Sequence, residues 1–274
     1  MWSLDTFESV DAFAGVAEPY LLAREAEHNL MLGLIDAIRR GAYDDAFLAV
    51  ARRGDEIAYV ALRTPPHHLA LSYVTEPAAI PLLVRRLAEP RLPGVLASAQ
   101  DAAHFAARYA EATGARVETD MHQRIYLAEQ VVPPPPVPGR AREASLGDRD
   151  RLADWLGFFS DSSTGSRPPG ELADRLLHRG DATVLIWETD APVSMAAAMG
   201  PTPNGIRVSA VYTPPEQRGR GYASAVTAAV TQRMFDAGKR FCFLYTDLDN
   251  PTSNALYQRI GYRPVVDVDQ LRFV

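Results

Sequence analysis

The chain has 274 residues, 47% of them apolar and 23% charged, ordinary material for one or two packed domains. A net charge of −6, with arginines interspersed among acids, excludes a general nucleic-acid binder, which needs clustered cations for its phosphate contacts. A single cysteine, Cys242, excludes disulfides and cysteine-rich metal sites, and no pair of the six histidines has metal-ligand spacing, so no metal is expected.

The N-terminus lacks a basic leader and no apolar run reaches ~18 residues, so no membrane partner and a cytoplasmic location are expected. In the first half the residue pattern predicts a helical region over 20–40, with Met31, Leu34, Ile35 and Ile38 on one face and Gly41 as its stop. Strands are predicted at 47–51, 57–63 and 69–73, a helix over 77–87, a strand at 94–98 and a helix over 101–113. Strands around Val117 and Ile125 complete this half. The proline-rich run 131–139 is a stiff connector that neither a helix nor a central strand could contain, and it divides the chain into 1–130 and 140–274.

In the second half a short strand (140–145), an amphipathic helix (148–159), a polar turn (160–170) and a helix ending near Arg179 come first. Three strands follow, 182–189, 193–200 and 206–213. Immediately after the third, the run from Val211 to Ala223 passes through a glycine-rich turn into a helical pattern carrying Val226, Val230 and Met234, which Gly238 stops. A helix start leaves backbone N–H groups without partners and carries partial positive charge, so it suits a phosphate or pyrophosphate. Gly219 and Gly221 permit close approach of bulky oxygens, Arg218 and Arg220 add charge, and the N–H groups of Gly219, Arg220, Gly221, Tyr222, Ala223 and Ser224 line the cradle. A buried strand over 241–246 comes next. A helix then starts with Asn250 as cap and Pro251 at its first position, bears Ala255, Leu256 and Ile260 as its apolar stripe, and stops at Gly261. Asn250 and Tyr257 lie seven residues apart, close to two helical turns, and so project in similar directions. Two last strands, 263–268 and 271–274, close the chain.

Arg218-x-x-Gly221-x-Ala223 is not a Walker loop or a dinucleotide fingerprint; it resembles the acyl-CoA pyrophosphate loop R/Q-x-x-G-x-G/A of the GNAT superfamily of N-acetyltransferases. Asn250 to Tyr262 is similar to that family's N-x-x-x-x-x-L-Y-x-x-x-G-F/Y stretch, without a gap. The element order of the second half, β-α-α-β-β-β-α-β-α-β-β, is also the one this resemblance implies, so the resemblance covers residues 140–274. The resemblance implies an α/β fold built on a mixed sheet, and the first half repeats much of the same element order. There, however, the run Thr75 to Ile80 stands in place of the glycine-arginine loop, with an acid at the helix start, which reads as a degenerate copy that does not bind CoA. An unrelated α/β lobe is the alternative.

By resemblance the chain is an acyl-CoA-dependent N-acyltransferase, in its simplest form one moving an acetyl group from acetyl-CoA directly to a primary amine of a small molecule or peptide. The resemblance assigns the Val211 N–H to the oxyanion, Thr213 to the pantetheine arm, Asn250 and Tyr257 to the cofactor-binding helix, and Tyr257 to protonation of the departing thiolate. Phenol and thiol reference pKa values of about 10 and 8.5 allow that transfer. Glu188 and Asp161 are candidate general bases. The first half walls the acceptor site or makes an interface, for which a homodimer is an expectation. A non-catalytic acyl-CoA-binding regulator and an enzyme using a longer acyl-CoA remain open.

Overall fold

A computed structural model describes every residue except Pro90, 161–167, Arg179 and Asp181. The chain forms two compact units that are discontinuous in sequence. The first holds Met1–Ile125, Thr246–Asp249 and Val265–Val274, and the second holds Tyr126–Tyr245 and Asn250–Pro264. The proline run therefore lies inside the second unit, where Trp187 Nε1 donates to the Pro138 carbonyl at 2.8 Å.

The first unit runs β1 (Ser3–Phe7), α1 (Val10–Leu22), α2 (Asn29–Arg39), β2 (Phe47–Arg53), β3 (Glu56–Arg63), β4 (Leu69–Leu71), α3 (Ile80–Leu87), β5 (Gly94–Ser98), α4 (Ala99–Thr113) and β6 (Val117–Ala128), whose last three residues belong to the second unit. Side chains alternate across its sheet, as the period of two requires. Leu48, Val50, Val60 and Leu62 meet Phe13, Leu21, Met31 and Ile35 of α1 and α2. On the opposite face Ala49, Ala51, Tyr59 and Ala61 meet Leu83 of α3 and Phe105 and Tyr109 of α4. The expected single helix over 20–40 is two helices, and β1 precedes them; Ser9, whose hydroxyl accepts from the Ala12 N–H at 3.4 Å, starts α1. The short β1 and the Pro19-containing α1 carry weak periodic signals, which explains why pattern alone passes over them.

The second half of the sequence runs β7 (Arg140–Glu143), α5 (Arg149–Ser160), α6 (Pro169–His178), β8 (Thr183–Glu188), β9 (Pro192–Pro201), β10 (Gly205–Tyr212), α7 (Tyr222–Asp236), β11 (Phe241–Asp247), α8 (Pro251–Arg259) and β12 (Arg263–Phe273); Thr246 and Asp247 of β11 and all of β12 from Val265 on belong to the first unit, the rest to the second. The two halves of the chain thus share one element order, β-α-α-β-β-β-α-β-α-β. Val184, Ile186, Met195 and Ala197 pack under Leu152, Trp155, Leu156 and Leu176 of α5 and α6. Leu185, Ala196, Ala198, Ile206 and Val208 pack under Val226, Val230 and Met234 of α7 and under Tyr257 of α8. Burying each such aliphatic side chain stabilises by ~1.5–3 kcal/mol, which fixes the layers.

The chain's two strand expectations at 263–268 and 271–274 correspond to one strand, β12, and those around Val117 and Ile125 to one strand, β6. Within the first unit Gly94–Ser98 of β5 pairs antiparallel with 268–272 of β12, and the strand order is β1-β2-β3-β4-β5-β12-β6. In the second it is β6-β11-β10-β9-β8-β7.

Candidate active site

Residues 205–212 of β10 place the first group. β10 runs parallel to β11, but only Gly205, Ile206 and Arg207 are in register with Phe241, Cys242 and Phe243, so beyond Arg207 the two strands part. On its other edge β10 pairs with β9 through Ser209↔Ala197, then slips, and resumes at Tyr212↔Met195. The slip is a bulge. Ala210 sits in it at φ 51°, the only non-glycine residue with positive φ among the described residues, at a cost of ~1–3 kcal/mol. It turns Val211 onto the α7 side of the sheet, while Ala210 and Tyr212 pack toward α5 and α6. Ala210 and Val211 thus fall out of the ladder where β10 leaves β11.

The loop that follows forms the second group. Pro215–Gln217 make a 3-10 turn, and Gly219 and Gly221 take φ of 74° and 83°, left-handed conformations that let the chain fold back into the start of α7. Gly221 is the N-cap and no side chain caps the helix. The first bond onto its carbonyl comes from the Ala225 N–H at 3.0 Å, which leaves the donors ahead of it to an incoming anion. Space is tight at Gly221, where a Cβ would come within 2.9 Å of Val137 Cγ1. Arg218 and Arg220 are exposed, and Arg218 Nε donates to the Thr213 carbonyl at 3.0 Å. Tyr222 is buried and Ala223 and Ser224 are half-buried, so these three can offer an anion their main chain. Thr213 is used internally: Ser194 Oγ donates to the Tyr212 carbonyl at 2.9 Å, so the Thr213 hydroxyl donates to Ser194 Oγ at 2.8 Å, and its own carbonyl holds Arg218.

Tyr257 forms the third group. Its ring lies in the α7–α8 core at 8% exposure, edge-on to Tyr262 at 6.1 Å between centroids. Burial alone pushes its phenol up to about 12. Asn250 caps α8 by accepting from the Ser253 N–H at 3.0 Å, and its carbonyl receives Asn254 Nδ2 at 2.8 Å, so it shapes the helix start. Two buried hydroxyls in this unit, Ser209 Oγ on β10 and Thr227 Oγ1 on α7, have no hydrogen-bond partner among the described residues. Each such group costs ~1–3 kcal/mol unless something polar meets it.

Of the two candidate bases, Asp161 lies outside the described residues. Glu188 is held elsewhere. It accepts from Arg142 Nε at 2.9 Å on β8, two strands removed from β10, and is neutralised there together with Asp148. Cys242 is buried and its thiol is pushed up to about 12 by desolvation, an inert core group as its place in an apolar strand implied. No group of His, Cys, Asp or Glu side chains able to hold a metal is present among the described residues.

The corresponding place in the first unit is closed from within. After β4, the Tyr73 N–H donates to His28 Nε2 at 3.1 Å and the Val74 N–H to Asp101 Oδ2 at 3.3 Å. At the helix start Glu76 accepts from the Ala78 N–H at 3.2 Å, so its carboxylate already occupies the place an anion would take.

The family of FR47-like proteins matches residues 186–272, the span from the end of β8 through β12. A tandem GNAT protein from the clavulanic acid biosynthesis pathway superposes with a TM-score of 0.59 at 14% identity, over 100% of this chain and 98% of that one. The chain has the tandem GNAT fold. A GCN5-related N-acetyltransferase from Kribbella flavida superposes on the same GNAT scaffold with a TM-score of 0.61 at 16% identity, over 92% of this chain and 95% of that chain. A mycothiol acetyltransferase of Paenarthrobacter aurescens (strain TC1) is 38% identical over 63 residues, which are 23% of this chain; the match spans only 20% of that protein's length. Within the GNAT fold the strand break at β10, the glycine loop and Tyr257 fall together in the second unit, and the first unit carries no counterpart of the glycine loop.

Proposed function

We propose that the chain is an acyl-CoA-dependent N-acyltransferase, in its simplest form transferring acetyl from acetyl-CoA to a primary amine within a ternary complex. The observation that carries the reading is the broken end of β10, which presents an out-of-ladder main chain beside an uncapped helix start with two left-handed glycines. The N–H groups from Gly219 to Ser224, with Arg218 and Arg220, would hold the pyrophosphate. The Val211 N–H would donate to the oxygen of the thioester as it gains charge, worth a few kcal/mol in a dry site. Tyr257 would hand its proton to the departing sulfur. With its phenol at about 12 rather than 10, a free transfer to a thiolate of about 8.5 runs uphill, so the proton must move as the C–S bond breaks.

The acceptor is a small-molecule or peptide amine, and the site of action the cytoplasm. No helix among the described residues is long and apolar enough to cross a membrane. The test is calorimetric titration with acetyl-CoA, CoA and a longer acyl-CoA, followed by CoA release with a panel of primary amines, for wild type and Tyr257→Phe. The variant should bind acetyl-CoA as wild type does and lose turnover. Binding without turnover in wild type would make the protein an acyl-CoA-binding regulator, and equal rates in the two proteins would remove the acid role from Tyr257.

A further inference from the structure

α8 has nine residues, and Tyr257 is the only one of them that is buried; Pro251, Thr252, Ala255, Gln258 and Arg259 are all exposed. Apolar packing alone therefore holds this helix thinly. The Tyr257 phenol makes no hydrogen bond among the described contacts, and burial is the sole cause of its pKa shift. The place of its oxygen is accordingly set by where the helix lies, not by a bond of its own. The polar hold on α8 comes from Tyr126, at the end of β6 and fully buried. Its hydroxyl lies 3.0 Å from Asn254 Oδ1 and 3.0 Å from Gln258 Nε2, one turn apart on the helix. The directions are fixed: Asn254 Nδ2 donates to the Asn250 carbonyl at 2.8 Å, so Oδ1 faces Tyr126 and accepts its proton, and the Tyr126 oxygen accepts from Gln258. One phenol thus ties the capping residue, the body of α8 and the strand into a single directed chain. The same stretch fastens the far end of the helix, where the Val132 N–H donates to the Ile260 carbonyl at 3.0 Å.

We infer that Tyr126 is a positioning residue for Tyr257: it fixes α8 so that the buried phenol stands at the reacting sulfur. The inference rests on the proposed acid role of Tyr257. Its consequence is that a residue from the half of the sequence without the glycine loop completes the site.

Tyr126→Phe keeps the ring in the core and removes both bonds. In the full-length protein, kcat with acetyl-CoA and the fastest amine of the panel should fall roughly tenfold, while acetyl-CoA affinity changes less than about twofold, since misplacement acts on chemistry and not on donor binding. In isotope-labelled protein the tyrosine ring resonance of Tyr257, identified by its loss in Tyr257→Phe, should shift or broaden. In a Tyr257→Phe background Tyr126→Phe should change kcat no further. Gln258→Ala, an exposed change that cuts one bond from the helix side, should give a smaller version of the same split. An unmoved Tyr257 resonance with unchanged kcat would overturn the inference, as would additive losses in the double variant. Should Tyr257→Phe alone retain wild-type turnover, the acid assignment fails, and the resonance still decides whether Tyr126 places the ring.

Discussion

At Gly221 two demands meet, a φ of 83° and a Cβ position only 2.9 Å from Val137 Cγ1. A β-branched side chain there is strained in backbone and in space, and it would also stand over the helix N–H groups. Gly221→Val should therefore abolish acetyl-CoA binding in a calorimetric titration, whereas Arg218→Ala should weaken it by only ~1–2 kcal/mol, because Arg218 already spends its Nε on Thr213. Tyr257 gives the second residue-scale expectation. A phenol raised to about 12 stays protonated across the working range, so kcat/KM should show no descending alkaline limb below about pH 10. A limb centred near 9 to 10 that vanishes in Tyr257→Phe would contradict the burial the structure gives this ring. Tyr126 marks the limit of motif reading. In sequence it is one apolar-run residue before the proline stretch, with nothing to connect it to Asn254 or Gln258 more than a hundred positions away.

Between elements, the joint of α1, α2 and β4 depends on a neutral histidine. His28 is buried, its Nδ1–H donates to the Leu21 carbonyl at 3.0 Å, and its Nε2 must be unprotonated to accept from the Tyr73 N–H. Burial lowers its pKa below the usual value near 6.5, more than the Leu21 bond and nearby Glu27 raise it, and Arg24 lowers it further. The unfolded chain thus binds the proton more readily. Stability contributed by this joint is complete above about pH 6.5 and falls as pH drops below it. Urea unfolding at pH 7.5 and 5 should show the loss, and His28→Gln should flatten it. On the second unit Arg142 donates to both Asp148 oxygens, at 2.7 and 2.8 Å, and holds that carboxyl well below the usual carboxylate range; Ser145 adds a backbone and a hydroxyl donor. This ties β7 to the start of α5. Asp148→Ala leaves the partly buried Arg142 with Glu188 as its one carboxylate partner and frees the Ser145 donors, and should cost about 1–2 kcal/mol in unfolding free energy, read from the urea midpoint at constant m. Helices and strands of the second half were legible because their periodicity and caps are local, and the glycine loop and the Asn250–Tyr262 stretch were legible for the same reason. The β10 bulge was not, since Ser209, Ala210 and Val211 are unremarkable residues whose conformation is set by pairing with β9.

For the molecule as a whole, the last strand is the informative element. Residues 268–272 pair with β5 in the first unit, Leu271 enters that unit's core, and Phe273 stacks on Tyr109 at 4.4 Å between centroids. Along the same unit Arg124 and Asp267, and Arg272 and Glu118, make cross-strand ion pairs between β6 and β12, and His122 Nδ1 lies within hydrogen-bond distance of Asp269 at 2.7 Å. Deleting residues 265–274 should therefore unsettle elements of the first unit that lie far from it in sequence. Amide exchange should lose protection in β5 and α4, and a truncated protein that keeps that protection would contradict the strand assignment.

By itself the sequence determined what short-range physics determines: strand and helix periods, the glycines that permit left-handed turns, the helix caps, and the absence of an anion loop in the first half. Only the tertiary structure decided which strands the units share out, that Glu188 is spent on Arg142, that Thr213 is turned inward, and that burial moves the Tyr257 phenol away from its reference acidity. These depend on partners far apart in the chain, and a pairing between distant residues leaves no periodic or local mark from which it could be read.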